Sequence, residues 1–337
     1  MKITLFETET WEHSAFEPLA SDHEVVFSEA PLDLETAKDH SDAEVISTFI
    51  YSDLSAEVLK RFSNLKMIST RSTGFDHIDL EYCREKSITI SNVPTYGDNT
   101  VAEHVFGLLL TISHNLIPAI DRTRRGDFSL KGLQGFDLEG KTLGVIGTGN
   151  IGQNVIRIAK GFEMKVLAFD AAPKKELAED FEFRYVDLDA LLRNSDIITL
   201  HVPGNEKTYH LLSEKEFSIM KDGVVLINTA RGSVVDVHAL AGAIADGKVA
   251  AAGLDVLPEE PAIREEMELL RSIFRKKKEQ NIETLLADHI LLRLRNVYIT
   301  PHSGFNTREA VERILHTTVE NMTAFAEGNP RNVVGRK

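Results

Sequence analysis

Residues suited to chemistry begin with Gly147-Thr148-Gly149-Asn150-Ile151-Gly152. The apolar run Leu143 to Ile146 leads into this turn as a buried strand. Ile151, Val155, Ile158 and Ala159 then recur at helical spacing, and a second apolar run, Val166 to Phe169, ends on Asp170. Strand, glycine turn, helix, strand and acid together form the pattern of a dinucleotide site. Gly147 permits the tight turn, Gly149 lets the backbone approach a pyrophosphate, and Gly152 lets helix and strand pack closely. The helix N-terminus offers unpaired N–H groups and partial positive charge to phosphates. Asp170 follows Gly147 by 23 residues (170 − 147), placed to accept hydrogen bonds from adenosine ribose hydroxyls. A 2′-phosphate there would meet like charge, which favours NAD over NADP, although Lys174 and Lys175 could offset part of that charge.

Three more ionisable residues, Arg231, Glu260 and His302, stand at strand ends or in nearby loops. Each also has a plain structural reading. An arginine in a glycine turn is a surface charge, a glutamate in Pro258-Glu259-Glu260-Pro261 is solvated, and a histidine after a proline caps or packs. Ser72-Thr73-Gly74-Phe75-Asp76 opens a turn at a strand's C-terminal end, where α/β folds place ligands and where backbone N–H groups suit a small carboxylate. On spacing alone the plain reading, a connecting loop, is favoured. Arg122, Arg124 and Arg125 at a helix end complement its dipole.

The elements that must position these residues follow an α/β rhythm. Strands are expected at Lys2–Phe6, Glu24–Phe27, Val45–Phe49, Lys66–Thr70 and Ile88–Ser91, with helices near Trp11–Ala20, Ala56–Phe62 and Asp79–Lys86. A long helix starts at Asn99, and Pro118 disturbs its end or begins a new turn. Beyond the glycine turn, strands are expected at Phe183–Val186, Asp196–Leu200, Val224–Asn228, Ala250–Leu254 and Val297–Thr300, and a last helix at Thr307–Ala326. His201-Val202-Pro203, Asn228-Thr229-Ala230-Arg231-Gly232 and Asp255 close three of those strands, along the edge where the ligand crevice belongs. Residues 261–296 mix leucine and charge and read as helices in an inserted arm, with the basic run Arg275 to Lys278 solvated.

At 337 residues, two domains are expected. Hydrophobic residues make up 42% and charged residues 27%, as in ordinary globular proteins. The net charge of −14 argues against nucleic-acid or anionic-membrane binding. One cysteine, Cys83, excludes an internal disulfide and a cysteine-based metal site, and reads as a small buried hydrophobe. No metal is expected. The N-terminal stretch lacks the apolar core of a signal peptide, and no apolar run approaches the ~18 residues of a membrane span, so a cytoplasmic location is expected.

The motifs together resemble those of the D-isomer-specific 2-hydroxyacid dehydrogenases. The likeness is carried by VIGTGNIG (145–152), HVP (201–203), NTARG (228–232), GLDVLPEEP (253–261) and TPHSG (300–304), with TRSTGFDHIDL (70–80) and NVPTYGDNTVAEH (92–104). The resemblance implies an α/β fold of two Rossmann-like or flavodoxin-like parallel-sheet domains. A cofactor domain of about 99–299 would be inserted into a substrate domain of 1–98 and 300–337, with the active site between them and a homodimer formed through the cofactor domain. It implies that Arg231 binds the substrate carboxylate and carbonyl, and that Glu260 pairs with the acid–base His302. It places Tyr51, Ser72, Thr73, Gly74, Tyr96 and Phe305 around the substrate. Thr100, Gly147, Gly149, Asn150, Ile151, Gly152, Asp170, His201, Val202, Pro203, Thr208, Thr229, Ala230, Arg231, Asp255 and His302 would surround NAD.

The chemistry of these roles is coherent. A guanidinium presents a planar fork to an α-keto acid. A carboxylate-backed imidazole donates a proton to the carbonyl oxygen as hydride arrives at carbon. Within the family the chain looks most like the D-lactate branch, whose aromatic residues surround a small methyl pocket. A glyoxylate or hydroxypyruvate reductase is the alternative. A binding protein, like the NAD-responsive corepressors of this fold, is a third, disfavoured by the short tail after Gly328.

Overall fold

The computed structural model describes residues 1–75, 77–258 and 282–335, with backbone alone for 282–286. The chain divides into two compact units, Met1–Tyr96 with Asn306–Lys337, and Gly97–Phe305.

The first unit is built on strands β1 (Lys2–Leu5), β2 (Glu24–Phe27), β3 (Val45–Thr48), β4 (Met67–Thr70) and β5 (Thr89–Ser91). Residues in β3 and β4 are buried along their whole length, as strands covered on both faces must be. Their parallel order is β2-β1-β3-β4-β5, the flavodoxin-like arrangement, whose connections reverse direction between β1 and β3. Phe6, Leu32, Ile46, Leu54, Ile68 and Cys83 form the core. Burial pushes the Cys83 thiol up to about 12, so it behaves as an inert hydrophobe. A helix, Arg308–Ala326, returns to this unit. It is capped by Thr307, whose hydroxyl accepts from the Ala310 N–H at 3.3 Å. Asn321 on it donates to the Asn92 carbonyl at 2.9 Å.

The second unit carries β6 (Thr142–Ile146), β7 (Lys165–Phe169), β8 (Arg184–Tyr185), β9 (Ile197–Leu200), β10 (Val224–Asn228), β11 (Val249–Leu254) and β12 (Val297–Ile299). They are parallel in the order β12-β11-β10-β9-β6-β7-β8. Counted from the glycine-bearing strand, that is the doubly wound Rossmann order, with its switch point between β6 and β9. Alternate residues serve opposite faces. Ile146, Ile198 and Leu226 join a core with Leu191, Leu192 and Leu240. Val145, Ile197 and Ile227 join another with Val105, Leu109, Val155 and Ile156. Each such fully buried aliphatic side chain contributes about 1.5–3 kcal/mol relative to exposure.

The expected strands are all present, shifted by at most a few residues. One strand was not anticipated: Val333–Val334 (β13) pairs antiparallel with β5 at Ser91 and Ile90. The stretch beyond Gly328, read from sequence as a tail, is therefore a sheet edge, and two valines are too short a run to show strand periodicity. The Trp11–Ala20 segment is a 3₁₀ turn, Thr10–Phe16, followed by a helix, Glu17–Ala20, with Pro18 in its first turn. Pro118 falls in the first turn of a new helix. The long helix Asp98–Ser113 stops, Asn115 turns left-handed at φ 50°, and Leu116–Arg124 follows. Most of the expected 261–296 arm lies outside the described residues. Its later part includes the helix Ile282–Leu291.

Candidate active site

In the second unit, the turn after β6 behaves as its glycines demand. Gly147 sits at φ 95°, and a Cβ there would lie 2.4 Å from the His201 carbonyl oxygen. A Cβ on Gly152 would lie 2.1 Å from the Gly147 carbonyl oxygen. Gly149 faces open space, so backbone is bare where the helix Asn150–Gly161 begins. That N-terminus carries no acidic residue in its first turn, which keeps its partial positive charge available for an anion. Asn150 donates to the Asp98 carboxylate at 3.1 Å, and Ile151 packs against the core that contains Val145 and Val155.

Asp170 closes β7. Its Oδ2 accepts from the Thr148 N–H at 2.7 Å and the Thr148 hydroxyl at 2.9 Å, and its Oδ1 accepts from the Ala172 N–H at 2.8 Å. Burial raises the carboxyl pKa, but these bonds, with the nearby Lys174 charge, outweigh it and hold the group below the ordinary 3.8. It is a fixed anion at the strand end.

The ends of β9 and β10 supply the facing side. His201 Nε2 lies 2.9 Å from the Thr199 hydroxyl, and burial pulls its pKa down to about 3, leaving a neutral imidazole. Val202 lies against the glycine turn. The Thr208 hydroxyl donates to the Pro203 carbonyl at 2.5 Å and accepts from the Asn205 N–H at 3.0 Å, which locks the loop. After β10, the Asn228 side chain staples the turn: its amide nitrogen donates to the Arg231 carbonyl at 3.0 Å, and its oxygen accepts from the Ala230 N–H at 3.0 Å. Arg231 Nη1 donates to the Ala230 carbonyl at 2.8 Å. The buried Thr229 hydroxyl has no hydrogen-bond partner among the described residues. Thr100 is buried on the helix Asp98–Ser113.

One cluster was only partly visible in the sequence. Asp255, 2% exposed after β11, receives the Thr300 hydroxyl at 2.5 Å and the Ser303 N–H at 2.9 Å on Oδ1, and the Gly304 N–H at 2.8 Å on Oδ2. His104 Nε2 lies 3.0 Å from the Thr300 hydroxyl and 3.4 Å from Asp255 Oδ1. Burial raises the Asp255 pKa, but the bonds from His104, Thr300 and Gly304 outweigh it and keep the carboxyl below 3.8. Held inside this clamp, His302 adopts a left-handed φ of 52°, and its N–H donates to the Thr300 carbonyl at 2.9 Å. His104 escaped the sequence reading because it lies on a helix far along the chain. Its place in the AEH segment of the 92–104 motif was the available signal. Arg231 and His302 therefore belong to one unit, as does Phe305. Glu260 lies outside the described residues.

In the first unit, the ends of β3 and β4 carry the other residues. Ser72 is buried, and its hydroxyl pairs with that of Thr70 at 2.7 Å and donates to the Gly74 carbonyl at 2.6 Å. The Thr73 hydroxyl donates to the Val93 carbonyl at 2.8 Å, and Asn92 donates to the Thr73 carbonyl at 2.7 Å. Tyr51, 45% exposed, meets the Phe49 ring edge-on at 6.0 Å. The Tyr96 carbonyl accepts from Arg313 at 2.8 Å.

A turn in which Gly147 and Gly152 leave no room for a side chain, a bare helix N-terminus and a fixed carboxylate fit NAD. Comparison with known proteins agrees. Residues 106–304 match the family model "D-isomer specific 2-hydroxyacid dehydrogenase, NAD binding domain". The D-lactate dehydrogenase of Escherichia coli is 35% identical over 97% of this chain and 98% of its own. A glyoxylate reductase of Thermococcus litoralis is 35% identical over 88% of this chain and 84% of its own. The crystal structure of Aquifex aeolicus D-lactate dehydrogenase, complexed with NAD and lactic acid, is similar with a TM-score of 0.86. It is 37% identical, covering 97% of this chain and 96% of that one. The chain belongs to the D-isomer-specific 2-hydroxyacid dehydrogenase family. It is an NAD-dependent oxidoreductase acting on the CH–OH group of D-2-hydroxy acids.

Proposed function

We propose that this enzyme is a D-lactate dehydrogenase, interconverting pyruvate and D-lactate. The observation that carries the reading is a likeness to D-lactate dehydrogenases that runs through both units of the chain. Bound NADH supplies the hydride that reaches the carbonyl carbon. Arg231 presents its fork to the carboxylate and carbonyl, and His302 gives a proton to the carbonyl oxygen as that carbon is reduced. In the oxidative direction neutral His302 takes the hydroxyl proton. Glu260 is the partner that steadies the imidazolium. Backbone N–H groups of Ser72, Thr73 and Gly74 hold the carboxylate in the first unit, the substrate domain, while the second unit is the NAD domain. Tyr51, Tyr96 and Phe305 are the aromatic residues around the methyl group.

The likeness to a glyoxylate reductase supports a second reading, with glyoxylate or hydroxypyruvate as substrate. NADH consumption with pyruvate, glyoxylate and hydroxypyruvate, repeated with NADPH, separates the two. Pyruvate should give the highest kcat/KM. Hydroxypyruvate turned over much faster than pyruvate would sink the lactate reading.

We also infer a homodimer formed through the second unit. Ile117, Ile120, Phe128 and Leu130, exposed on this unit with Leu130 at 83%, are the apolar side chains that a partner surface would cover. The acidic net charge and single cysteine suit a cytoplasmic enzyme. Among the described residues no helix is long and apolar enough to cross a membrane.

A further inference from the structure

In a flavodoxin-like sheet the ligand-binding end is the switch point, where the loops after the first and third strands part. In the first unit that point lies between β1 and β3, and Glu7 spans it. We propose that Glu7 is a positioning residue for substrate selection: its carboxylate sets the Phe49–Ser52 loop, which carries Tyr51. This rests on the pocket reading above, in which Tyr51 meets the substrate.

Glu7 follows β1 with a left-handed φ of 55°, a conformation that L side chains adopt only where the surroundings enforce it. Here the enforcement is visible. The carbonyls of Phe6 and Glu7 both accept from Arg71 Nη2, at 2.8 and 2.6 Å. Arg71 is almost wholly buried and directly precedes Ser72. With its backbone held by the base of one loop, the Glu7 side chain organises the other. Oε1 accepts from the Tyr51 N–H at 2.8 Å, and Oε2 accepts from the Phe49 N–H at 2.8 Å and the Ser52 hydroxyl at 2.6 Å. The Ser52 oxygen in turn accepts from the Leu32 N–H at 2.9 Å.

Three donors converge on two oxygens, a task for an acceptor-only group. Glutamine offers one acceptor oxygen and turns an NH₂ toward N–H groups. Aspartate is a methylene short. The loop Phe49-Ile50-Tyr51-Ser52 contains neither glycine nor proline to shape it, and these bonds tie three of its four residues to one carboxylate.

The test compares purified Glu7→Gln and Tyr51→Ala with wild type, measuring kcat and KM for pyruvate and phenylpyruvate, KM for NADH, and Tm. In Glu7→Gln, pyruvate KM should rise about tenfold with kcat and NADH KM nearly unchanged, and the phenylpyruvate-to-pyruvate kcat/KM ratio should shift roughly fivefold or more. The shift should have the same direction as in Tyr51→Ala. A ratio that moves in Tyr51→Ala but not in Glu7→Gln overturns the role of Glu7 and leaves the pocket reading standing. A ratio that moves in neither variant overturns both. If Glu7→Gln does not accumulate folded, Ser52→Ala, which deletes one of the three donors, is read against the same ratio.

Discussion

Replacing Asp255 by Asn tests how the His302 segment is held. The carboxylate takes the Thr300 hydroxyl and Ser303 N–H on one oxygen and the Gly304 N–H on the other. Asparagine keeps the shape but has one acceptor oxygen. Oriented to retain Thr300 and Ser303, it faces its NH₂ toward Gly304 and orphans a buried N–H, which costs about 1–3 kcal/mol. The two retained bonds lose their ionic character and weaken by up to roughly half. A total near 2–4 kcal/mol follows, lowering Tm by about 5–10 °C. The larger effect belongs to His302, which sits inside the clamp with φ 52°. A shift of about 1 Å in the proposed proton donor costs on the order of 10²-fold in rate. Single-turnover NADH oxidation by pyruvate at saturating cofactor should therefore slow about a hundredfold, well beyond what the Tm change implies. A variant with lowered Tm but a rate within threefold of wild type would refute the reasoning, because the clamp would then be holding the fold and not the imidazole.

Gly152→Ala places a methyl 2.1 Å from the Gly147 carbonyl oxygen. The turn must shift, at a cost of about 1–3 kcal/mol, and NADH titration should show at least roughly tenfold weaker binding. Asp170→Ala removes the fixed anion at the proposed ribose position, so the NADPH-to-NADH kcat/KM ratio should rise by an order of magnitude or so; an unchanged ratio would show that Asp170 does not select the cofactor. The Asp170 and Asp255 carboxyls both have folded pKa values below the ordinary 3.8. Their stability contribution is thus complete above about 3.8 and is lost as pH falls from there through the lower folded values. Urea unfolding at descending pH should show that acid loss, and Asp255→Asn should make it shallower. Phe128→Asp with Leu130→Asp should convert the proposed dimer to monomer in analytical ultracentrifugation, and a dimer of unchanged mass would place its surface elsewhere.

Much of the fold was legible because parallel strands covered on both faces are continuous apolar runs. Leu143 to Ile146 and Val224 to Asn228 announced themselves in this way, and glycine spacing located the turn between strand and helix. The same local logic failed where tertiary partners decide. Val333–Val334 is a strand only because β5 offers an open edge, and Thr10–Phe16 winds as a 3₁₀ turn in place of an α-helix. Pro118, left open by the sequence, sits in the first turn of a new helix because Asn115 supplies the left-handed break before it.

For this protein the sequence by itself determined the sheet strands, the glycine turn with its acid, and the family, since each is written in consecutive residues whose spacing obeys local geometry. Only the tertiary structure decided that Glu7 reaches the Phe49–Ser52 loop and that Asp255 and His104 fix the Thr300–Gly304 segment that carries His302. Those hydrogen bonds join residues tens to hundreds of positions apart. Their existence depends on which strand ends the sheet order makes neighbours, and no local pattern of residues encodes that adjacency.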